Sequence, residues 1–115
     1  MIWEHSTQLD RNRAGIYYLR NTSNDTIYIG STTRTFEIRW LEHLERLTDG
    51  THHNKGMQAD YNAGHLFACG ILCILTTPDL VERVEKCLIV YYKDGHHLYN
   101  VLGVSLPFDY YKRKN

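Results

Sequence analysis

The sequence predicts a small α+β domain in which a three-stranded antiparallel or mixed sheet is flanked by helices. Two short segments, at 15–20 and 26–30, alternate in hydrophobicity, as strands with one buried face do. Two longer segments, at 35–47 and 78–92, repeat apolar residues at three- and four-residue spacing, as helices do. Together with a dense apolar run at 66–75, they predict the order ββααβα in a single domain of 115 residues.

The first two strands are predicted to form a β-hairpin. Successive side chains of a strand point to opposite faces, so Tyr17 and Tyr18 are expected on opposite sides of the sheet. The second strand repeats the alternation around Tyr28. Residues 21–25, which read Asn-Thr-Ser-Asn-Asp, join the strands with side chains that favour turns.

Two helices are predicted after the hairpin. In the first, from Thr35 to about Leu47, Arg39 and His43 are four residues apart and share a face at the edge of the apolar stripe. The second, at about 55–62, ends before Gly64, which suits a left-handed position. The stripe of the first helix consists of Phe36, Trp40, Leu44 and Leu47, with Leu41 beside it.

The apolar run at 66–75 predicts a central strand, because it is too short for a typical helix. Thr77, Pro78 and Asp79 then begin a helix that runs to about Tyr92. Residues 98–101 are predicted as a last short extended segment, followed by a basic tail at 112–114. One face of the predicted central strand holds Phe67, Cys69, Ile71, Cys73 and Leu75.

The chain carries no basic excess, since 13 Lys and Arg residues balance 13 Asp and Glu residues. A protein that binds DNA phosphates tightly by itself normally has such an excess. Basic residues clustered on one face would still allow binding to nucleic acid. A chain of 115 residues is also expected to lack a separate DNA-reading domain. We therefore expect weak, sequence-tolerant binding, with specificity supplied by a homo-oligomer or a targeting partner.

The cysteines predict a reduced environment. Cys69, Cys73 and Cys87 form an odd set without the spacing of a paired metal motif, and residues 1–13 contain no apolar secretory segment. No apolar run approaches the roughly 20 residues that span a membrane. The expected location is the cytoplasm, without contact with a membrane.

Two strings of residues carry a family resemblance: Gly15-Ile16-Tyr17 and, ten residues later, Tyr28-Ile29-Gly30. Further polar residues follow in the order Arg39, His43, His52, Asn54, Glu85 and Asn100. This series, within about 14–103, resembles the GIY-YIG nuclease family, and most of all its phage and homing-endonuclease branch. Many members have a lysine soon after the second string, where this chain has Ser31, Thr32 and Thr33.

The resemblance implies a metal-dependent endonuclease that hydrolyses DNA and leaves 5′-phosphate and 3′-hydroxyl ends. It implies that Tyr17 is the general base, with Tyr28 near it, and that Arg39 stabilises charge on the phosphate. It also implies that His43 positions water or relays a proton, and that Glu85 binds Mg²⁺ or Mn²⁺. Because the pKa of an ordinary phenol is about 10, a tyrosine base needs nearby cations.

Five further residues are predicted to contact substrate. Hydroxyl groups of Ser31 and Thr32 are suited to hydrogen bonds with a phosphate. The resemblance adds His52 and Asn54, which match a downstream histidine and asparagine of this branch, and Asn100, which matches a late asparagine. For Asn100, hydrogen bonds that tie the last segment to the site are the favoured role.

Glu85 differs from the other acidic residues of its predicted helix. Glu82 has Lys86 at the spacing of a surface ion pair, whereas no cation stands four residues from Glu85. Glu85 is expected at the edge of the buried stripe, where a carboxylate needs a partner such as a divalent cation. From the residues alone, a glutamate that reaches solvent is the alternative. The stripe is predicted to contain Leu80, Val84, Cys87, Leu88 and Tyr91.

Three alternatives stay open at the level of sequence. One is a domain that binds nucleic acid or protein with little turnover, which the zero net charge allows. Another is RNA as the substrate instead of duplex DNA. A zinc site is disfavoured, because the two cysteines available are four apart in a predicted strand. Its ligands would come from His53, His96, His97, Cys69 and Cys73.

Overall fold

The structure, a computed structural model, describes residues 1–100 of the chain. These residues form one mixed sheet with helices on both faces, which confirms the predicted α+β class. In chain order the elements are β1 (Ile2–Trp3), α1 (Gln8–Arg11), β2 (Gly15–Asn21), β3 (Ile27–Thr32), α2 (Phe36–Asp49), α3 (Lys55–Asn62), β4 (Phe67–Ile74) and α4 (Pro78–Lys93).

The sheet has four strands in the order β1-β4-β2-β3, so the prediction of three strands is wrong by one. β2 is antiparallel to β3, as the hairpin requires; it is also antiparallel to β4, and β1 is parallel to β4. β1 has only two residues, too few to show alternation. The missed helix α1 did have a signal, because Thr7 and Asp10 form a capping box.

The two faces of the sheet support two hydrophobic cores, as the alternation in β2 predicts. One core lies under α2 and α3 and consists of Tyr17, Leu19, Phe36, Trp40, Leu47, Met57, Phe67 and Cys69. The other lies under α4 and consists of Ile16, Ile27, Ile29, Val81 and Ile89. Consecutive residues of β2 therefore belong to different cores.

A β-bulge interrupts the pairing of β2 with β4. Ile16 pairs with Cys73, whereas the next residue, Tyr17, pairs with Ile71. One step along β2 therefore corresponds to two steps along β4, which is the signature of a bulge. The prediction that odd-numbered residues of 66–75 share one face is therefore wrong beyond the bulge. Ile71 packs against the core under α2, but Cys73 and Leu75 pack against the core under α4.

The helices begin close to the predicted residues, although Thr77 before α4 makes no side-chain capping hydrogen bond. The Thr35 side chain accepts a hydrogen bond from the Ile38 N–H (3.2 Å), and α2 ends at Gly50 with a left-handed φ of 78°. α3 occupies the predicted range and is followed by Gly64, whose φ is 93°. α4 begins after Thr77 with a proline in its first turn.

The buried face of α4 is rotated from the predicted stripe. Val81 and Ile89 are buried, while Leu80 and Tyr91 are 46% and 72% exposed. Cys87 is also exposed. Apolar residues surround most of this helix, so periodicity does not determine which side faces the sheet. Packing against the isoleucines of β2 and β3 determines it instead.

The segment after α4, predicted only as a short extended piece, runs along the edge of β3. Leu98 forms a parallel bridge with Ile27. The Asn100 side chain accepts from the Ile29 N–H at 2.9 Å and donates to the Ile29 carbonyl at 2.8 Å. The predicted contribution of residue 101 and the basic tail at 112–114 lie outside the described residues. Within residues 1–100, no helix has the length and apolar character to span a membrane.

Candidate active site

Tyr17 lies at the centre of the candidate site, opposite Gly30 on the neighbouring strand. A Cβ atom at position 30 would be 2.5 Å from the Cζ and Oη atoms of Tyr17, so only glycine leaves room for the ring. The ring is fully buried and makes edge contacts with Phe36, Trp40 and His43. The strings Gly15-Ile16-Tyr17 and Tyr28-Ile29-Gly30 are thus linked by one contact, because Gly30 leaves room for the ring of Tyr17.

A chain of hydrogen bonds leads from Tyr17 into the loop before α3. Tyr17 Oη is 2.6 Å from His43 Nε2, and His43 Nδ1 is 2.7 Å from His52 Nε2. The peptide N–H of Asn54 then donates to His52 Nδ1 over 3.0 Å. A strand, a helix and a loop therefore converge on one set of hydrogen-bonded side chains.

His43 is fully buried, although the sequence places it at the edge of the stripe of α2. Periodicity treats histidine as a polar residue, yet a histidine is readily buried when both ring nitrogens have partners. Tyr17 and His52 provide those partners. Leu41, expected beside the stripe, is 49% exposed instead.

Burial keeps the histidines of the site uncharged at neutral pH. It is the main cause that holds the pKa of His43 far below its usual range, and the Arg39 charge adds to it. Burial likewise lowers the pKa of His52 to about 4. The pKa of His53 is also lowered, first by burial and then by Arg39 and Arg46. These rings therefore act through hydrogen bonds and not as cations.

Arg39 provides the positive charge beside Tyr17. Burial alone would lower the pKa of Arg39, but interactions with Tyr17 and Glu42 outweigh it and the pKa is raised. Arg39 Nη1 is 3.2 Å from Glu42 Oε1, and its side chain is 24% exposed. Glu42 also binds Arg34, with 2.9 Å between Arg34 Nη1 and Glu42 Oε2. The guanidinium is held by a carboxylate and still open to a phosphate.

Glu85 is half-buried on α4 and lies beside the buried residues of that helix, as expected for a residue at the edge of the stripe. Val81 and Ile89, four residues before and after it, are both buried. Burial is the largest influence on the pKa of Glu85 and raises it, while a hydrogen bond with Ser31 acts in the opposite direction. A carboxylate in this position is poorly solvated and favours a cation as partner.

Electrostatic interactions join the residues predicted to be catalytic. Burial is the main cause that raises the pKa of Tyr17; Tyr28 and Glu85 add to it, and Arg39 opposes it by charge and by a hydrogen bond. The pKa of Tyr28 is raised by burial and by Glu85, and Arg39 again opposes the shift. With His43, the five predicted residues form one cluster.

His53 belongs to this cluster, although the sequence indicated only a loop histidine. Its ring stacks on His52 with centroids 4.5 Å apart. Its Nε2 atom is 3.3 Å from the Tyr28 Oη atom. The pair of adjacent histidines after the predicted helix was the available signal.

Two predicted substrate-binding residues have structural roles. Thr32 is buried, and its hydroxyl oxygen accepts from the Arg34 N–H at 3.1 Å. Asn54 is also buried and caps α3 by accepting from the Met57 N–H at 3.0 Å. Its side chain donates to the Tyr99 carbonyl at 2.6 Å. Contact of either residue with a substrate stays a prediction.

The other three predicted substrate-binding residues differ in accessibility. Ser31 is half-buried and interacts with Glu85. Asn100 anchors the last described segment on Ile29, which agrees with its favoured role. His52 is 6% exposed and has protein partners at both ring nitrogens.

Glu85 is the residue of this cluster best suited to a hard cation. Within residues 1–100, no three His, Cys, Asp or Glu side chains are grouped closely enough to hold a metal ion. Zinc sites use three or four such ligands. Mg²⁺ instead binds through one or two carboxylates, water and substrate phosphates. The donor set therefore fits Mg²⁺ or Mn²⁺ better than zinc.

Similarity to known proteins extends over most of the described residues. A model of the GIY-YIG catalytic domain matches residues 13–100. Intron-associated endonuclease 1 of Enterobacteria phage T4 is 39% identical over 61 residues, which are 52% of this chain and 24% of that protein. The match thus spans about a quarter of that relative's length.

Solved structures of the catalytic domain of the homing endonuclease I-TevI have a similar fold. A point mutant of that domain aligns with a TM-score of 0.72 and 30% identity, over 82% of this chain and 98% of the other. A second structure of the domain aligns with a TM-score of 0.66 and 30% identity, over 77% of this chain and 100% of the other.

Proposed function

The chain belongs to the GIY-YIG catalytic domain family, and from this premise we propose that it is a metal-dependent endonuclease that cleaves duplex DNA. Its products would carry 5′-phosphate and 3′-hydroxyl ends. The observation that supports this best is the convergence on Tyr17 of His43, Arg39 and Glu85, from two helices on opposite faces of the sheet. A buried phenol beside a cation and a poorly solvated carboxylate suits phosphate hydrolysis.

Tyr17 is the proposed general base. As a phenolate it takes a proton from water, whose oxygen attacks phosphorus while the bond to the 3′ oxygen breaks, and the departing 3′ oxygen takes up a proton from solvent to become the hydroxyl. Burial and Glu85 oppose the phenolate in the free protein, so its formation requires added positive charge. A divalent cation on Glu85 would supply that charge and Lewis acidity when bound.

Arg39 is the proposed phosphate ligand. Its planar guanidinium suits the oxygens of a phosphodiester, and it stays charged at any pH of interest. Tyr17 is 0% exposed, so a neighbouring side chain must shift before water reaches the hydroxyl, and Arg39, which interacts with Tyr17, is the one proposed to move toward the phosphate. Binding of substrate would thus both orient the phosphate and open the base.

Duplex DNA is the proposed substrate, and binding by this chain is expected to be weak. The formal net charge of zero limits the number of phosphates it neutralises, so affinity should depend only shallowly on salt. Specificity is proposed to come from a homo-oligomer or a targeting partner. In this account the domain supplies the chemistry of cleavage and little of the choice of site.

The decisive assay incubates the purified protein with supercoiled plasmid, single-stranded DNA or RNA, each with Mg²⁺, Mn²⁺ or EDTA. We expect nicking and linearisation of the plasmid in either metal and none in EDTA. Faster cleavage of RNA would reassign the substrate. Binding of DNA without cleavage in either metal would instead indicate a module with little turnover.

A matched pair of variants tests the metal assignment. Glu85→Gln should reduce cleavage by at least about 10²-fold, because it removes the only charge proposed to hold the cation. Glu82→Gln should leave the rate unchanged, since Glu82 forms an exposed ion pair with Lys86 at 3.2 Å. Near wild-type nicking by a folded Glu85→Gln protein in Mg²⁺ would refute the assignment.

A further inference from the structure

We propose that His52 is a positioning residue, which fixes the tautomer of His43 so that His43 donates a hydrogen bond to Tyr17 and cannot accept its proton. Its effect on rate rests on the proposed function, whereas the tautomers themselves are a property of the free protein. The chain of hydrogen bonds from Asn54 to Tyr17 carries the proposal.

The donor and acceptor roles along this chain of hydrogen bonds are set at the Asn54 end. A peptide N–H can only donate, so the Asn54 N–H at 3.0 Å makes His52 Nδ1 an acceptor. A neutral imidazole that accepts at one nitrogen carries its proton on the other. His52 is therefore protonated at Nε2.

The same reasoning carries through the second ring. His52 Nε2 is 2.7 Å from His43 Nδ1, so its proton is donated and His43 Nδ1 is the acceptor. His43 then carries its own proton on Nε2, which is 2.6 Å from Tyr17 Oη. The Tyr17 oxygen thus accepts a hydrogen bond from His43.

This direction excludes one role that the resemblance allowed for His43. Reversing the chain would require the Asn54 nitrogen to accept a hydrogen bond, which an amide N–H does not do. His43 therefore does not take the proton of Tyr17. It instead stabilises the phenolate oxygen, because donation to the charged form favours that form.

The loop that carries His52 is held from two sides. The Gln58 side chain accepts from the His52 N–H at 3.0 Å and donates to the Leu47 carbonyl at 2.9 Å. Asn54 is fixed as the cap of α3 through the Met57 N–H. These bonds aim the Asn54 N–H at His52. His52 is 6% exposed and both of its ring nitrogens already have protein partners, so positioning explains its presence better than substrate contact.

Nitrogen-15 NMR of histidine-labelled protein tests the tautomers without DNA or metal. In long-range proton–nitrogen spectra at neutral pH, we expect both His43 and His52 to be neutral and protonated at Nε2. Protonation at Nδ1 of either ring, or an imidazolium at neutral pH, would overturn the proposal. This result does not depend on nuclease activity, so failure of the proposed function would be seen separately.

Two variants of His52 separate positioning from shape. His52→Gln retains an N–H near the place of Nε2, so His43 should stay protonated at Nε2 and cleavage should stay within about tenfold of wild type. His52→Phe fills the space without a donor, so the tautomer of His43 should no longer be fixed. Its rate should fall by about 10² to 10⁴, as when an active-site histidine is held in the wrong tautomer.

The control is His53→Gln, because His53 stacks on His52 but takes no part in the chain of N–H groups. It should leave the tautomers of His43 and His52 unchanged. If folded His52→Phe keeps His43 protonated solely at Nε2, or if His52→Gln is as slow as His52→Phe, the proposal is wrong. If His52→Phe does not fold, the wild-type spectrum decides.

Discussion

Tyr17 and Tyr18 are neighbours on β2, and each ring lies across a glycine of an adjacent strand, yet their surroundings are opposite in character. Tyr17 lies across Gly30 on β3 and meets the neutral His43. Tyr18 lies across Gly70 on β4, and its hydroxyl donates to Glu4 Oε1 at 2.7 Å. The same packing device is thus used once on each face of the sheet.

The difference between the partners of the two hydroxyl groups bears on the proposed role of the Tyr17 phenol. The Tyr18 hydroxyl donates its proton in a hydrogen bond to Glu4. The pKa of this phenol is raised, mainly by burial and next by the hydrogen bond to Glu4. Arg20 neutralises Glu4 through an ion pair of 3.0 Å, so this group is complete. At Tyr17, by contrast, His43 donates a hydrogen bond to the phenol oxygen, and the phenol proton is not donated to a carboxylate. The Tyr18 group is a closed set of polar partners, whereas the Tyr17 group suits the proton transfer proposed for it.

The largest expected effect is on cleavage. Tyr17→Phe should reduce the rate by about 10² to 10⁴, the usual contribution of general-base catalysis. Tyr18→Phe should change it less than about threefold, because that side chain points to the other face of the sheet. Single-turnover nicking of plasmid in Mg²⁺ measures both. Equal losses would mean that Tyr17 is structural and would remove the basis of the comparison.

The glycines should respond unequally to an added methyl group. A Cβ at Gly30 would lie 2.5 Å from the buried ring of Tyr17, and a Cβ at Gly70 would lie 2.4 Å from the ring of Tyr18. Overpacking costs about 1 to 3 kcal/mol, and more where the ring cannot move. We expect Gly30→Ala to lose about 3 kcal/mol and most activity.

Gly70→Ala is the matched control. Tyr18 is half-buried and has room to shift, so this variant should lose about 1 kcal/mol and keep its activity. Urea unfolding and nicking assays on both proteins check the pair. Loss of activity in a well-folded Gly70→Ala protein would show that the Tyr18 face also contributes to cleavage.

Acid should destabilise the two tyrosine groups in different pH windows. The folded-state pKa values of His43 and His52 lie below the unfolded value of 6.5, so the unfolded chain binds more protons below that pH. Their contribution to the free energy of unfolding is fully present above pH 6.5 and is lost as the pH falls. For His52 this loss continues down to its folded-state pKa of about 4. The pKa of Glu4 is lowered, chiefly by the Arg20 hydrogen bond, so its stabilisation is lost only below about 4.5.

Unfolding in urea at several pH values measures these windows. Between pH 7 and 5, the His52 shift alone should remove about 2 kcal/mol of the free energy of unfolding. Glu85 acts in the opposite sense near its raised pKa, so the comparison is with His52→Gln, which should lose less over the same range. A wild-type free energy that does not change from pH 7 to 5 would contradict neutral, buried histidines.

Most elements of the fold were predictable because their signals are local. The hairpin follows from the alternation of its strands. The capped start of α2 follows from Thr35, and the range of α3 follows from Asn54 and Gly64. Tyr17 and Tyr18 were assigned to opposite faces by strand geometry alone. Residues 13–100 also carried a family pattern strong enough to indicate the site.

The errors came from contacts between distant parts of the chain. β1 exists only because two residues pair with β4, and the bulge beside Tyr17 is set by the pairing of β2 with β4. Burial of His43 depends on partners 26 and 9 residues away in sequence. The rotation of α4, which buries Val81 and Ile89 and exposes Leu80 and Tyr91, depends on the surface of the sheet. No local pattern contains this information.

The most direct test of the central claim replaces Tyr17 by a fluorotyrosine, whose phenol is more acidic, and measures the pH dependence of single-turnover cleavage in Mg²⁺. If the Tyr17 phenolate is the base, the rising limb of the profile should move to lower pH, because the phenolate forms more readily. Fluorotyrosine at position 18 should leave the profile in place. An unchanged profile at position 17, or an equal shift at both positions, would contradict the assignment of Tyr17 as the base.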